Sequence, residues 1–495
     1  MISEVAKIKR KVWTEIAALA FEDKLEDEIE FLPRKLTREG ITNYRCCEFK
    51  ERAILADRIK LTLGIDLRSS NDDERLLAAA KRALDRGAAA PEPGRSLINI
   101  IEKACDRCPI DRIVVTDACR NCVAHYCVNA CRKRAIEIVG NRAHIDRERC
   151  VECGLCVKAC QFGAIIERER PCSRACAAGA IKPGRDSSAE IDYSKCIECG
   201  ACITACPFGA ISDTSDILRV ITMLKSKDTV VIALVAPSVV GQFGPMAGWD
   251  ALEKGLVHIG FAEVFPVAVA ADVVAREEGR ELAERMAGGN DIMFNSCCPA
   301  FVRLIDLHFP CLSEKVSKTP SPMLTAARLA RNTHGAGQDI KCVFIGPCVA
   351  KKSEAIREGQ GLVDAVLTFE ELAAILVAAG INLAQIGGDA LSSCQGASLD
   401  GMGFCSAGGV ASAVKKCTAF SASDTPPEML SLSGVENCMK ALRQVSKGGL
   451  KADFVEGMAC ERGCIGGPGT LVDADVSARA LQKLFKAKGE DASGH

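Results

Sequence analysis

Five cysteines in three glycine- and proline-rich stretches could hold a metal centre. The stretches are Phe294-Asn-Ser-Cys-Cys-Pro-Ala300, Gly346-Pro-Cys-Val-Ala-Lys-Lys-Ser-Glu354 and Glu456-Gly-Met-Ala-Cys-Glu-Arg-Gly-Cys-Ile-Gly-Gly467. Four soft thiolates from separate segments suit one iron–sulfur cube and would leave a fifth free for other chemistry. Spacing alone does not say which of the five is the spare: Cys297, Cys298, Cys348, Cys460 or Cys464.

A second group of sixteen cysteines lies between residues 105 and 206. Two full ferredoxin runs begin at Cys150 and Cys196, and a variant run begins at Cys119. In two-cluster ferredoxins the fourth cysteine of each run binds the cluster of the other run. Pairing the runs at Cys119 and Cys150 therefore predicts two cubes, one on Cys119, Cys122, Cys127 and Cys160 and one on Cys150, Cys153, Cys156 and Cys131.

The run that begins at Cys196 lacks a complete partner. The missing halves are Cys172-x3-Cys176 and, far upstream, Cys105-x2-Cys108. The simplest interpretation is one ferredoxin inserted into a loop of another. Its outer cubes would use Cys105, Cys108, Cys172 and Cys206, and Cys196, Cys199, Cys202 and Cys176. In the alternative interpretation, Cys105 and Cys108 bind zinc or no metal.

Four cubes of this kind indicate electron transfer rather than catalysis, because a cluster held on four sides has no open position for substrate. Basic residues near the cysteines could raise reduction potentials or bind an acidic partner, although a solvated charged surface is the commoner explanation. These residues are Arg132, Lys133, Arg134, Arg168 and Arg170.

The length of 495 residues predicts about three domains at the usual ~150 residues each. The formal charge of −1 gives no electrostatic reason to expect nucleic acid or an anionic membrane as a partner. No apolar run approaches the ~20 residues of a spanning helix, and the N-terminus has no signal-peptide pattern. Many of the 29 cysteines fall in C-x-x-C runs, which favours metal ligation in a reducing compartment over disulfides. We therefore expect a cytoplasmic protein.

The elements that position these cysteines fall into three regions, which predict an α+β multidomain fold. Residues 1–95 should be helical, with helical periodicity in 4–24, 53–63 and 74–84, a stop at Gly87 and a linker at 88–94. Residues 96–215 should form the ferredoxin-like region with nested pairs of [4Fe–4S] sites. The adjacent Cys46 and Cys47 could be half of a ligand set, but buried thiols are commoner.

Residues 216–495 alternate short apolar segments with helix-like ones, which predicts α/β units around largely parallel strands. Strands are expected at 229–235, 263–267, 291–295, 341–345 and 364–368, with one last helix at 476–486. The loops at 236–238, 296–298 and 346–348 each follow such a strand. Because sites in open α/β sheets lie at the carboxyl ends of strands, these loops should converge on one buried site.

The three cysteine stretches resemble, in order, the Ser-Cys-Cys-Pro, Pro-Cys-x-x-Lys-Lys-x-Glu and Met-Ala-Cys-x-x-Gly-Cys signatures of the iron-only ([FeFe]) hydrogenase catalytic domain, over roughly residues 229–470. The resemblance implies an H-cluster: a cube held by Cys298, Cys348, Cys460 and Cys464, with Cys464 bridging to a two-iron subsite that carries CO, cyanide and a dithiolate. It implies that Cys297 binds no iron and passes protons to the subsite.

The same resemblance gives roles to four residues that bind no iron. Lys351 and Ser238 would each face a cyanide ligand, and Met458 and Phe404 would close the pocket against water; a surface position for Lys351 or Lys352 is the alternative. The sequence also departs from the best-known members at Gly346, Phe301 and Met323, where they have methionine, tryptophan and glutamine.

A proton path is implied by the resemblance as well. The family's relay positions fall on Cys297, Glu278, Ser317, Glu281 and Arg285. Glu278, Glu281 and Arg285 are spaced i, i+3 and i+7, so they share one face of the helix expected at 272–286. Without the resemblance, an ordinary charged helix face would be the simpler interpretation.

The sequence thus predicts a hydrogenase that interconverts protons, electrons and H₂. It would exchange electrons with ferredoxin or a similar carrier through about four accessory [4Fe–4S] clusters, and it would need H-cluster maturation enzymes. The alternatives are a hydrogen-sensing homologue and an iron–sulfur assembly protein of the hydrogenase-like kind. The presence of Cys297 and of the intact Cys-Cys pair argues against them.

Overall fold

The computed structural model describes residues 3–37, 44–69, 74–89, 94–109, 111–289, 292–334, 338–359, 361–387, 394, 396–418 and 426–488. The expected linker at 88–94 and strand at 291–295 therefore lie partly outside the described residues. Among the helices that are described, none is long and apolar enough to cross a bilayer.

The N-terminal region is helical, as its periodicity predicts. Ser3 caps the first helix by accepting a hydrogen bond from the Ala6 amide, and Gly87 ends the fifth with a positive φ of 56°. The helices are α1 (Glu4–Phe21), α2 (Leu25–Glu28), α3 (Leu32–Leu36), α4 (Glu48–Thr62) and α5 (Leu76–Arg86).

The cysteine-rich region consists of short strands and single-turn helices. They are β1 (Ile98–Ile100), β2 (Ile113–Val115), α6 (Tyr126–Ala130), β3 (Ile136–Val139), β4 (Arg142–Ile145), α7 (Leu155–Ala159), β5 (Ile165–Glu167), α8 (Pro171–Arg174), β6 (Ile181–Pro183), β7 (Ala189–Ile191), α9 (Ala201–Ala205) and β8 (Ile211–Asp213).

The strands of this region pair as antiparallel ribbons, one set inside the other. In the inner set β2 pairs with β5 around the hairpin β3–β4. In the outer set β1 pairs with β8, and the hairpin β6–β7 lies between them in the chain. Because the whole inner set falls between β1 and β6, the topology is that of one ferredoxin inserted into a loop of another.

The remaining chain carries the parallel sheets. Its elements are α10 (Ile217–Lys225), β9 (Thr229–Val235), α11 (Trp249–His258), β10 (Glu263–Pro266), α12 (Val267–Ala287), β11 (Met293–Phe294), α13 (Pro299–His308), α14 (Pro322–Asn332), β12 (Asp339–Gly346), α15 (Ala350–Arg357), β13 (Ala365–Thr368), α16 (Phe369–Ala378), α17 (Leu383–Ile386), α18 (Leu399–Gly403), α19 (Gly409–Cys417), β14 (Met429–Ser433), α20 (Val435–Val445), β15 (Phe454–Met458) and α21 (Ala474–Ala487). Short 3₁₀ turns occur at Glu102–Ala104, Pro237–Val239, Pro310–Lys315 and Cys464–Gly466.

Two all-parallel sheets form this part, which confirms the predicted fold class. One has the strand order β10-β9-β12-β13 and the other β11-β15-β14. The strands of the larger sheet are continuous apolar runs because helices cover both faces.

The N-terminal helices share a core with the larger sheet. Trp13 and Ile16 of α1 belong to the same buried cluster as Leu234 of β9 and Ile345 of β12. Lys9 and Arg10 also pair with Glu370 of α16 at 2.6 and 2.9 Å. The helical region therefore completes the core of the sheet.

Candidate functional site

The loops after four parallel strands meet at one cavity, as the sequence predicts. Ser238 follows β9, Cys297 and Cys298 follow β11, Cys348 follows β12 and Cys460 follows β15. All five line a cavity of about 830 Å³, together with Cys464. Because all four strands are parallel, their carboxyl ends bring residues that are far apart in the chain to one place.

The four cysteines assigned to the cube are buried together in this cavity. Burial raises the pKa of all four thiols, that of Cys348 to about 12, and the thiols raise one another's pKa further. The Ala459 amide donates to Cys298 Sγ at 3.5 Å. Four converging thiols are unfavourable as free thiolates, and an iron–sulfur cluster relieves this because its iron binds thiolates. The residues present fit such a cluster.

Cys297 stands apart from this set by its hydrogen bonding. Its Sγ accepts a hydrogen bond from Asn295 Nδ2 at 2.9 Å, while Asn295 Oδ1 accepts one from the Gly457 amide at 2.7 Å. Burial raises the pKa of Cys297 well above its usual value, and the nearby Glu278 adds to the rise. Cys297 is thus held as a protonated thiol.

The residues expected to face the subsite also line the cavity: Ser238, Lys351, Met458 and Phe404. The Ser238 hydroxyl is buried and has no hydrogen-bond partner among the described residues, so it is available to a group in the cavity. Lys351 donates to Ser321 Oγ at 3.0 Å and pairs with Glu354 at 2.6 Å. Lys351 and Lys352 are 7% and 3% exposed, so the surface alternative is wrong.

The five relay residues form a connected series. Glu278 Oε1 accepts hydrogen bonds from the Ser296 amide and hydroxyl at 3.0 and 3.1 Å. Ser317 Oγ donates to Glu281 Oε2 at 2.7 Å, and Arg285 Nη2 donates to Glu281 Oε1 at 2.7 Å. Glu281 and Arg285 are partly exposed, with 18% and 16% of their side chains accessible. The series therefore runs from the cavity to the surface.

Glu278 is the buried member of the series. It is completely buried, and this burial raises its pKa from 4.5 to about 7, while Ser296 and Ser317 oppose the rise. Its Oε2 has no hydrogen-bond acceptor or donor assigned among the described residues. Since the Ser317 hydroxyl already donates its proton to Glu281, it can accept one from a protonated Glu278.

Sequence reasoning missed three residues of this site. Asn295 and Ser296 hold Cys297 and Glu278, and their position directly before the Cys-Cys pair was the available signal. Cys405 lines the cavity in a completely buried position, next to Phe404. The two alanine amides that bind Glu456 at 2.9 Å distances, together with Gly408, had no sequence signal.

The departures from the best-known members lie at close-packed positions. A Cβ at Gly346 would meet the Phe344 ring at 2.6 Å, and Met323 is a fully buried residue of the cavity wall. Phe301 packs edge-on against Phe294 at 5.9 Å, and its ring fills the space beside Gly457. The smaller residues therefore occur together with neighbours that fill their space.

The sixteen ferredoxin-region cysteines lie in four equivalent arrangements. In each C-x-x-C loop the residue before the second cysteine has a positive φ: Arg107, Asn121, Glu152 and Glu198. Each fourth-position cysteine accepts a hydrogen bond from an alanine amide four residues later, at Cys131, Cys160, Cys176 and Cys206. Cys105-x-x-Cys108 therefore has the same conformation as the loops of the full runs.

Two of the predicted cysteine sets are brought together by electrostatic contact. Cys206 and Cys108 raise the pKa of Cys172 after burial, and we name Cys105, Cys108, Cys172 and Cys206 the Cys206 set. Burial raises the pKa of Cys199 to about 11, and Cys176 and Cys298 add to the rise. We name Cys176, Cys196, Cys199 and Cys202 the Cys199 set. Cys199 also lines the cavity, so this set adjoins the site.

The two inner sets are described by their contacts in the same way. Burial raises the pKa of Cys127, and Cys160 and Cys122 contribute. Burial raises the pKa of Cys156, and Cys150 and Cys153 contribute. Cys119 receives the Ala143 amide of β4, as Cys105 receives the Ala189 amide of β7. The inner and outer sets thus repeat one another.

Comparisons with known proteins identify the same two parts of the chain. Residues 229–468 match the family model described as iron only hydrogenase large subunit, C-terminal domain, and residues 143–166 and 189–212 match the 4Fe-4S binding domain. Iron hydrogenase 1 of Clostridium pasteurianum is 29% identical over 69% of this chain and 66% of its own length. The periplasmic [Fe] hydrogenase large subunit of Nitratidesulfovibrio vulgaris is 28% identical over 54% of this chain and 76% of its own.

A solved [FeFe]-hydrogenase structure, of HydA(deltaEFG), is 25% identical, with a TM-score of 0.43 over 57% of this chain and 96% of that one. The match of residues 229–468 includes all five cavity cysteines, and the matched cysteine runs upstream are 4Fe–4S binding motifs. Through residues 229–468 the chain belongs to the iron-only hydrogenase family.

Proposed function

We propose that this protein is an iron-only hydrogenase that interconverts H₂ with two protons and two electrons. The observation that carries the proposal is the series of relay residues that begins beside a cavity lined by four buried cysteines. An H-cluster in that cavity would supply the redox and Lewis-acid chemistry of the reaction. The three proposed regions, 1–95, 96–215 and 216–495, would serve as helical support, electron transfer and catalysis.

The chain's own residues would hold this group and exclude water. Cys298, Cys348, Cys460 and Cys464 would bind the cube, and Cys464 would also bridge to the two-iron subsite. Lys351 supplies a buried cation and Ser238 a free hydroxyl, and both suit anionic or polar ligands such as cyanide. Met458 and Phe404, buried in the cavity wall, would keep water away.

The proton would move along side chains. A protonated Cys297 thiol beside Glu278 can give a proton to the site and recover one from the glutamic acid. With a pKa of about 7, Glu278 is able to both gain and lose a proton near neutral pH. Ser317, Glu281 and Arg285 would then connect Glu278 to solvent.

Electrons would reach the cavity through the Cys199 set. Its member Cys199 lines the cavity and interacts electrostatically with Cys298 and Cys460. The Cys206 set belongs to the same ferredoxin fold and would come next, followed by the inner pair. An electron carrier, proposed to be ferredoxin, would bind at the far end, and maturation enzymes would install the two-iron subsite.

The test is infrared spectroscopy on protein produced with H-cluster maturation enzymes, combined with an H₂ evolution assay. We expect CO and cyanide bands together with turnover. Bands with little turnover would favour a hydrogen sensor, and absence of the bands in iron-loaded protein would favour an assembly protein. Either result would reject the proposed enzyme.

A further inference from the structure

Two arginines of the N-terminal region reach the turn that contains Cys206. Arg58 of α4 donates from Nη2 to the carbonyl oxygen of Gly209 at 2.5 Å. Arg45, just before α4, donates to the carbonyl oxygens of Phe208 at 2.9 Å and Ala104 at 3.3 Å. These carbonyls belong to residues beside Cys206 and Cys105, so both guanidinium groups lie against the Cys206 set.

A third arginine approaches the same set from the other side. Arg170 precedes Pro171-Cys172 and donates to the carbonyl oxygens of Ser187 at 2.8 Å and Ser188 at 3.4 Å. Its Nε is buried without a partner. Arg170 also lowers the pKa of Cys108, in opposition to burial and to Asp106. It is 7% exposed, so a solvated surface does not explain its position.

None of the three arginines forms an ion pair with a carboxylate in the described part of the chain; their acceptors are backbone carbonyls. Arg58 is 7% exposed, and burial lowers its pKa to about 10, aided by Arg45 and opposed by Cys206. A buried cation without a counter-charge is strongly unfavourable. A cluster bound by four thiolates carries net negative charge and would supply the missing counter-charge.

The fourfold repetition of the turn provides an internal comparison. The residue three positions after the fourth cysteine is Gly163, Gly179, Gly209 or Arg134. A Cβ at Gly209 would meet Arg58 Nη2 and Val5 Cγ1 at 2.6 Å, whereas a Cβ at Gly163 or Gly179 would meet nothing within 4 Å. Only the Cys206 turn is thus covered by the N-terminal helices.

Arginines near the other cysteine sets are paired with carboxylates. Arg142 pairs with Asp117 at 2.8 Å, and Arg303, which donates to the Cys196 carbonyl, pairs with Glu198 at 3.5 Å. A paired arginine adds little net charge to its surroundings. The Cys206 set therefore differs from them in facing buried and uncompensated cations.

We propose that Arg58, with Arg45 and Arg170, raises the reduction potential of the cube on the Cys206 set. The inference rests on the proposed cube at these four cysteines. Reduction adds one negative charge to a cluster, and a nearby buried cation stabilises the charge more in the reduced state than in the oxidised state. This cube then holds an electron more readily than the other three ferredoxin-region cubes. The N-terminal helices thereby set one step of the electron path.

The test is a redox titration of iron-loaded, full-length protein, followed by electron paramagnetic resonance. The component that disappears when Cys105 and Cys108 are both replaced by alanine identifies this cube. We expect Arg58→Met to lower the equilibrium constant for its one-electron reduction at least tenfold, a downward shift of about 59 mV. Arg58→Lys, which keeps the charge, should restore most of the potential.

Lys50→Met serves as the control, because it removes an equal charge from an exposed position on the same helix. Its titration should match that of the unmodified protein, as should the other components in Arg58→Met. An unchanged potential in Arg58→Met, or an equal fall in Arg58→Lys, would overturn the inference alone. If no component disappears in the double cysteine variant, the cube itself is absent and both proposals fail.

Discussion

At the scale of single residues, the adjacent cysteines of the cavity have different surroundings. Cys298 accepts a backbone hydrogen bond from Ala459 and lies with three other thiols, whereas Cys297 accepts one from Asn295 and lies beside Glu278. Since the two differ by one position, a strand-end loop aims them in different directions. This difference separates a proposed iron ligand from a proposed proton donor.

Replacing Cys297 by alanine should leave the CO and cyanide bands largely intact and lower H₂ turnover by about 100-fold or more, the usual scale for losing a positioned proton donor. The reason is that Cys297 is proposed to carry protons and to bind no iron. Infrared spectra and H₂ evolution on the same preparation measure both effects. Loss of the bands would mean that the roles of Cys297 and Cys298 are exchanged.

Replacing Glu278 by glutamine should lower H₂ evolution by about 100-fold or more while iron content stays normal. Glutamine has nearly the same shape and can still bind Ser296, but it cannot release a proton. Glu284→Gln, at an exposed position of the same helix, is the matched control and should keep full activity. Activity close to that of the unmodified protein in Glu278→Gln would show that protons enter by another route.

The candidate site could be predicted from sequence at residues that belong to short ordered motifs, because such motifs fix both residue type and spacing. The relay positions required the family resemblance, since charge spacing on α12 alone also describes an ordinary exposed helix face. The environment of Arg58 had no sequence signal. Its partner Gly209 lies 151 residues away, and only tertiary packing brings the two together.

At the scale of secondary-structure elements, a buried charge network joins the ferredoxin region to the larger sheet. Lys352 of α15 pairs with Asp213 of β8 at 2.7 Å and with Glu371 of α16 at 2.8 Å. Glu371 also caps its helix through Thr368 and accepts a hydrogen bond from Ser215 Oγ at 2.6 Å. The lysine next to Lys351 in the motif thus connects three elements.

Replacing Lys352 by methionine should lower the free energy of unfolding by about 3–5 kcal/mol, because it leaves two buried carboxylates without their cation. Chemical unfolding followed by circular dichroism measures the change. Lys440→Met is the control, since its pair with Glu436 is exposed, with side-chain accessibilities of 63% and 75%. An exposed pair contributes about 0–1 kcal/mol. Equal effects of the two substitutions would contradict the structural role of Lys352.

The elements themselves were largely predictable. The strands at Thr229–Val235 and Ala365–Thr368 are apolar runs of the expected type, and Gly87 ends α5 as expected. The packing of α1 against α16 was not predictable, because an amphipathic pattern shows that a helix buries one face but does not identify the surface that it covers.

At the scale of the whole molecule, the metal content follows from the division of the cysteines. Full loading should give about 22 irons per chain, from five cubes and one two-iron subsite. Replacing both Cys105 and Cys108 by alanine should remove about one cube's worth of iron and leave the inner pair intact. Metal analysis of the two proteins measures the difference. Unchanged iron would reject the insertion of one ferredoxin into another and favour the alternative in which these cysteines bind no cluster.

The shared core of α1 and the larger sheet has a consequence for biosynthesis. Arg10 precedes its partner Glu370 by 360 residues, which a ribosome translates in roughly 20–70 s at ordinary rates. During that time the apolar face around Trp13 and Ile16 has no sheet to cover it, and it is a natural binding site for a chaperone. The sixteen ferredoxin-region cysteines leave the ribosome within the same interval, so cluster insertion there can begin before translation has produced the sheet that completes the core.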